Sequence, residues 1–178
     1  MNGRLSGEAV REQLDRFGPR VLAAARFFGD DLPDYYDVAS GRWHLNGFWT
    51  EGFWPGLLWK LYTYSQDERL AEEARRTTRL VARMKAGMDD HDLGFLFLPS
   101  CGLGHEVTGN DAMLADALAA ARRLARRYVP SSRFISAHGP LDGPRAGFAI
   151  LDTVMNLRLL FWAVRRTGDA RLAEIARE

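Results

Sequence analysis

The sequence predicts an all-α protein, built from repeated helical hairpins arranged as part of a toroid. Three observations carry this prediction. Apolar residues recur at steps of three and four along five separate runs, the spacing of one helix face. No run shows the period-two alternation of a sheet. Three turn segments look alike, namely Ser65-Gln66-Asp67, Thr108-Gly109-Asn110 and Thr167-Gly168-Asp169, and each is followed by a Leu-Ala pair. Such self-similarity marks an array of hairpins. The turns begin at residues 65, 108 and 167 and so recur after 43 and 59 residues. Those spacings are longer and less equal than the roughly 34-residue period of a tetratricopeptide array. They fit hairpins that form an inner and an outer ring, with long loops at one mouth.

The first run is Val10, Leu14, Phe17, Val21, Ala25 and Phe28, stopped by the segment from Gly29 to Asp34. A polar, glycine-bearing segment then reaches about Thr50. Phe53, Leu57, Leu58, Leu61 and Tyr62 mark a second helix, and Leu70, Ala74, Val81 and Met84 a third that ends near Gly87. A long helix carries Met113, Ala117, Ala121 and Leu124 and ends before Pro130. Ile150, Val154, Leu157 and Phe161 mark another. At each look-alike turn, Asp or Asn is placed to N-cap the second helix of the hairpin. The second repeat is irregular, because Gly94, Pro99, Gly102 and Gly104 lower helix propensity. An extended loop is expected through Asp92 to Leu98, then a short helix to Val107.

A length of 178 residues suits one domain spanning 1–178, and 47% hydrophobic content suits a packed core. A net charge of +1 gives no pull toward nucleic acid or an acidic membrane. The basic group Arg122, Arg123, Arg126 and Arg127 reads as a solvated outer helix face. Cys101 is the lone cysteine, so no disulfide framework exists. The N-terminal residues carry no apolar leader and no stretch is apolar enough to span a bilayer, so the expected location is cytoplasmic. Trp43, Trp49, Trp54 and Trp59 cluster, and composition alone assigns them to a core.

Counting back from the turns places the acids. Glu51, Asp92 and Asp152 lie 14, 16 and 15 positions before Ser65, Thr108 and Thr167. Three carboxylates thus occupy the far ends of equivalent elements, which face one mouth when hairpins pack side by side. Asp152 sits among Phe148, Ile150, Leu151, Val154 and Met155, and such surroundings are expected to raise its pKa. Asn156, one turn on, is placed to fix the Asp152 carboxyl in one rotamer. Asp92 closes the run Met88-Asp89-Asp90-His91-Asp92. Its adjacent acids lack metal-ligand spacing, so no metal and no cofactor are expected. Two carboxylates flanking a glycosidic bond are the usual equipment for cleaving sugars. His91 and His138 are candidate substrate contacts; for His138 a turn position serves equally well.

Three segments together carry a family resemblance. Trp49-Thr50-Glu51-Gly52-Phe53-Trp54-Pro55-Gly56-Leu57-Leu58-Trp59, Asp90-His91-Asp92-Leu93-Gly94-Phe95 and the run from Leu151 to Ala163 resemble the unsaturated glucuronyl hydrolases in order and spacing. The resemblance implies an (α/α)6 toroid, of which this chain supplies roughly the N-terminal half. It implies action on lyase-generated oligosaccharides that carry a 4,5-unsaturated uronic acid at the non-reducing end. The implied reaction hydrates the vinyl ether: the aspartate matching Asp152 protonates C4 and helps water add at C5, and the hemiketal then opens. No covalent sugar–enzyme bond and no metal take part. The aspartate matching Asp92 assists in the same site, and the tryptophan matching Trp49 lies at the sugar. Where the family often has a tryptophan, this chain has His138. The implied partners are the oligosaccharide and either a complementary C-terminal half or a second copy. Two alternatives stay open: an unsaturated rhamnogalacturonyl hydrolase, and a non-catalytic helical-repeat fragment.

Overall fold

The amphipathic runs become helices, and the three similar turns join them in pairs. The computed structural model describes residues 7–178, so the N-terminal residues expected to carry no apolar leader lie outside the described residues. Helix α1 (Gly7–Phe28) ends at Gly29, which takes a left-handed φ of 53° and donates its N–H to Ala25. Only the second half of its stripe is buried, at Val21, Leu22, Ala25 and Phe28, while Val10 and Phe17 stay exposed.

The first hairpin pairs α2 (Phe53–Ser65) with α3 (Glu68–Met84). The second pairs a bent first arm with α6 (Asp111–Arg126). That arm runs through α4 (Leu93–Phe97), a π turn (Leu98–Gly102) and α5 (Leu103–Thr108). The third has a short α7 (Thr153–Asn156), then α8 (Arg158–Thr167) and α9 (Ala170–Arg177). All three turns use one chemistry. Gln66, Gly109 and Gly168 sit at φ 57°, 69° and 68°. Asp67, Asn110 and Asp169 then cap the next helix by accepting backbone N–H groups through their side chains. In each turn the Ser or Thr hydroxyl donates back one helical turn, to Leu61, Gly104 or Ala163. It also accepts the N–H of the capping residue.

Three expectations are corrected. The segment expected as an extended loop from Asp92 to Leu98 is already helical from Leu93. Gly94 within it, and Gly52 packed against it, serve close approach rather than breaking helices. A Cβ on Gly94 would lie 2.5 Å from the Asn156 backbone, and one on Gly52 would lie 2.3 Å from the Phe95 carbonyl. Pro99 is absorbed by the π turn. The helix expected from Ile150 begins at Thr153, and Ile150 and Leu151 are exposed in the turn before it. Two short antiparallel ladders are present where none was expected: β1 (Pro33–Asp37) with β2 (Arg42–Leu45), and β3 (Tyr128–Val129) with β4 (Phe134–Ile135). The first was hidden because its strands are mostly exposed on both faces, leaving no alternation to read. Cross-strand aromatic pairs hold it, Tyr35 stacking on His44 at 4.3 Å and Tyr36 meeting Trp43 at 5.5 Å.

The core lies between the two helix layers, around Leu58, Trp59, Leu96, Phe97, Leu124 and Leu160. Of the clustered tryptophans, Trp59 is fully buried and donates to Thr78 Oγ1 at 2.9 Å, whereas Trp43 is exposed. Against α2, the bent arm and α8 lies an open groove of about 920 Å³, with Phe53, Phe95, Met155 and Phe161 on its walls. Among the described residues no helix is long and apolar enough to cross a membrane.

Candidate functional site

The N-terminal ends of the second and third hairpins meet at one mouth. Asp92 is the residue before α4, and its carbonyl accepts from Leu96. Asp152 is the residue before α7. Between them stands His91, wholly buried. Its N–H donates to the Ala137 carbonyl at 3.2 Å, and its Nδ1 lies 2.9 Å from Thr153 Oγ1. Nε2 lies 3.4 Å from an Asp92 oxygen, and Nδ1 lies 3.8 Å from an Asp152 oxygen. The imidazole therefore has Asp92, with Asp90 at 3.7 Å, off one nitrogen and Asp152 off the other. His138 closes the other side, its ring 5.1 Å from that of His91 and edge-on, with Nδ1 3.7 Å from Asp90.

The electrostatics divide the two aspartates. Asp92 is 8% exposed, and burial, with the neighbouring charges of Asp90 and Asp152, pushes its carboxyl up to about 6. Burial also lowers the pKa of His91, against the pull of Asp90 and Asp152. The expectation that Asp152 is the carboxyl in apolar surroundings is not met. Its apolar sequence neighbours Leu151, Val154 and Met155 face outward, and its own side chain is 44% exposed. Asn156 is likewise corrected. Its side-chain N–H₂ approaches Asp92 at 3.4 Å rather than the Asp152 carboxyl, while its Oδ1 accepts the Phe95 N–H at 2.7 Å. One buried amide thus links the second and third hairpins directly beneath the mouth.

Trp49 reaches the same region through Phe95, whose ring centre lies 4.9 Å from its own, and it is only half-buried. A flat indole on this rim suits stacking against a sugar face. Glu51, expected at the mouth, turns inward instead. It is fully buried, accepts the Phe48 N–H at 2.9 Å and pairs with Lys85 at 2.9 Å. Burial raises its pKa, and the lysine opposes that rise.

Sequence reasoning missed Thr153, which holds the His91 ring, and Arg127, assigned above to a solvated face. Arg127 is fully buried, whereas Arg122 and Arg126 are exposed. The signal was available: the apolar stripe Met113, Ala117, Ala120, Leu124, continued by three places, falls on Arg127. Two groups bring ligand-type atoms within 4.8 Å of one another, Asp90 with His91 and His138, and His91 with Asp92 and Asp152. These residues are placed to hold a cation, and equally suit proton transfer without one.

No protein-family model matches the chain. An unsaturated chondroitin disaccharide hydrolase of Streptococcus agalactiae is 32% identical over 99% of this chain and 46% of its own. An unsaturated glucuronyl hydrolase of Bacillus sp. strain GL1 is 37% identical over 84% of this chain and 41% of its own. The crystal structure of the unsaturated glucuronyl hydrolase from S. agalactiae superposes with a TM-score of 0.87 at 31% identity, over 99% of this chain and 46% of that one. Structures of that enzyme include asparagine variants at either of two aspartates sixty positions apart, one of them complexed with dGlcA-GalNAc6S. Asp92 and Asp152 have the same separation. The chain spans less than half the length of these relatives, and its hairpins form about half of their α/α toroid. At this identity over nearly its whole length, the chain belongs to the unsaturated glucuronyl hydrolase family.

Proposed function

We propose that this chain is the N-terminal portion, as one domain, of an enzyme that removes a 4,5-unsaturated uronic acid from the non-reducing end of lyase-generated oligosaccharides. The observation that carries the reading is the meeting of Asp92 and Asp152 on the two nitrogens of one buried imidazole, at the mouth of the hairpins. The matching separation of the two substituted aspartates in the streptococcal enzyme supports it. Hydration of a vinyl ether needs a proton at C4, water at C5 and opening of the resulting hemiketal to release the aglycone. Asp152, exposed at the mouth, is the carboxyl with access to the sugar and delivers that proton. Asp92 sits behind it as a carboxyl that still holds a proton near pH 6, so the pair retains acid character close to neutrality. Trp49 stacks on the sugar and the partly exposed His138 contacts it, whereas His91, with no exposed surface, orients the two carboxyls from behind. Asn156 fixes Asp92.

The groove completes the proposal. Its apolar wall, edged by Lys60, Arg158 and Arg165, is where a closed toroid places its remaining inner helices. A complementary half with acidic residues facing those three cations is the expected occupant, and it is expected to bind more tightly than a second copy, whose like charges would oppose them. The lone, buried Cys101 supports a cytoplasmic location.

The decisive assay follows loss of ultraviolet absorbance from an unsaturated glucuronyl disaccharide. The chain alone is expected to turn over little. With a complementary half supplied in trans, activity is expected to rise, and Asp152→Asn is expected to lower kcat by about 10²-fold or more. Undiminished turnover by Asp152→Asn would refute the mechanism.

A further inference from the structure

We propose that Arg127 is a positioning residue that sets the width of the mouth by clamping its two loops together. It follows α6, and its N–H donates to Leu124, so its backbone is fixed by the end of that helix. From there the side chain runs inward with no exposed surface. Nε donates to the Ser136 carbonyl at 2.8 Å, and one Nη donates to the Gly139 carbonyl at 2.9 Å. The other Nη donates to the Asp89 carbonyl at 3.0 Å and to its carboxylate at 2.7 Å. The Ser136 N–H returns a bond to the Arg127 carbonyl at 2.9 Å. Two acceptors thus flank Ala137 and His138, and the third residue lies just before Asp90, His91 and Asp92.

The planar guanidinium has donors at fixed angles, so it sets both the distance and the direction between the loops. A hydrophobic residue of similar volume would fill the space but hold neither carbonyl. A lysine, with one nitrogen on a flexible stem, reaches at most part of the set. Apart from Arg127, the two loops are joined by one backbone bond, from the His91 N–H to the Ala137 carbonyl, and by the approach of His138 to Asp90 and to the His91 ring. Because the bond set converges on the loop carrying His138, the gap between the His91 and His138 rings follows Arg127. Only the effect on sugar affinity rests on the function proposed above; the geometry stands apart from it.

The test reads the histidine rings directly. Long-range proton–nitrogen spectra and ring-to-ring nuclear Overhauser contacts are recorded on the full chain, as wild type, Arg127→Lys, Asp89→Ala and Trp59→Phe. Trp59→Phe loses a buried hydrogen bond elsewhere in the core and serves as a control for general loosening. Arg127→Lys is expected to abolish the His91–His138 contact and move the His138 resonances toward those of a free imidazole. Asp89→Ala is expected to shift the same resonances less, since it removes one side-chain bond of the clamp; it keeps the test decisive should Arg127→Lys not fold. Trp59→Phe is expected to leave them in place. A His91–His138 contact unchanged in both clamp variants, or equally disturbed in Trp59→Phe, would overturn the proposal. In a second arm, affinity for an unsaturated glucuronyl disaccharide is measured with the complementary half present, and Arg127→Lys is expected to weaken it about tenfold. No binding by the wild type would count against the proposed function while the resonance result stands.

Discussion

Burial disfavours the charged form of the Asp92 carboxyl, and the nearby charges of Asp90 and Asp152 add to that effect, so it titrates at about 6. Because its folded value lies above the unfolded one, the neutral acid adds stability at pH below about 4. That contribution is lost as pH rises through about 6. Asp92→Asn is therefore expected to be more stable than the wild type at pH 7.5, by about 2 kcal/mol, with the gain shrinking as pH falls to 4. Denaturant titrations of both proteins at several pH values check this, and a constant difference would contradict it. His91, lowered by burial, works in the opposite sense as pH falls. Asn156→Ala is expected to cost about 1–3 kcal/mol, because it leaves the Phe95 N–H without its side-chain acceptor. Both aspartates were legible in the sequence by counting back from the turns. Which one is buried was not, since Asp152 has apolar neighbours along the chain that point to solvent in space.

The elements were legible where local chemistry decides them. The three turns carry their own stop signal, cap and back-bonded hydroxyl, all within a few residues, so they could be read one by one. Gly168→Ala is expected to cost about 1 kcal/mol, because a Cβ is strained at φ 68°. Gln66→Gly is expected to be near neutral: relief of the same strain is offset by loss of the side-chain bonds to the Tyr62 and Thr63 carbonyls. Thermal melts of the two variants give the comparison. The second hairpin was misread because a glycine lowers helix propensity and also admits a close neighbour, and sequence shows only the first. Gly94→Ala tests which role governs. Propensity alone predicts a small gain, whereas the 2.5 Å approach to Asn156 predicts a loss of about 3 kcal/mol, read by the same melts.

At the scale of the whole molecule, the groove is the consequence of having three hairpins where relatives close a ring. Phe53 and Phe161 stand 46% and 40% exposed, and Met155 52%. An apolar face of this kind promotes association, so the chain alone is expected to self-associate with rising concentration. Phe161→Glu is expected to lower that tendency in sedimentation velocity without changing the helical signal. The half-ring was expected from the family resemblance, and the basic wall of the groove was not, because Lys60 of the first hairpin joins Arg158 and Arg165 of the third only on folding.

The three turns also bear on how the chain opens. Each is closed entirely by residues of its own hairpin, so one hairpin can fray while the turns of the others stay intact. Amide hydrogen exchange should then resolve into blocks that follow the hairpins rather than one global protection level. The amides of α9, at one end of the array, should exchange soonest and those of the bent middle arm last. The site lies at the seam between the second and third blocks, so the loosening of the last hairpin sets how often the two aspartates come apart.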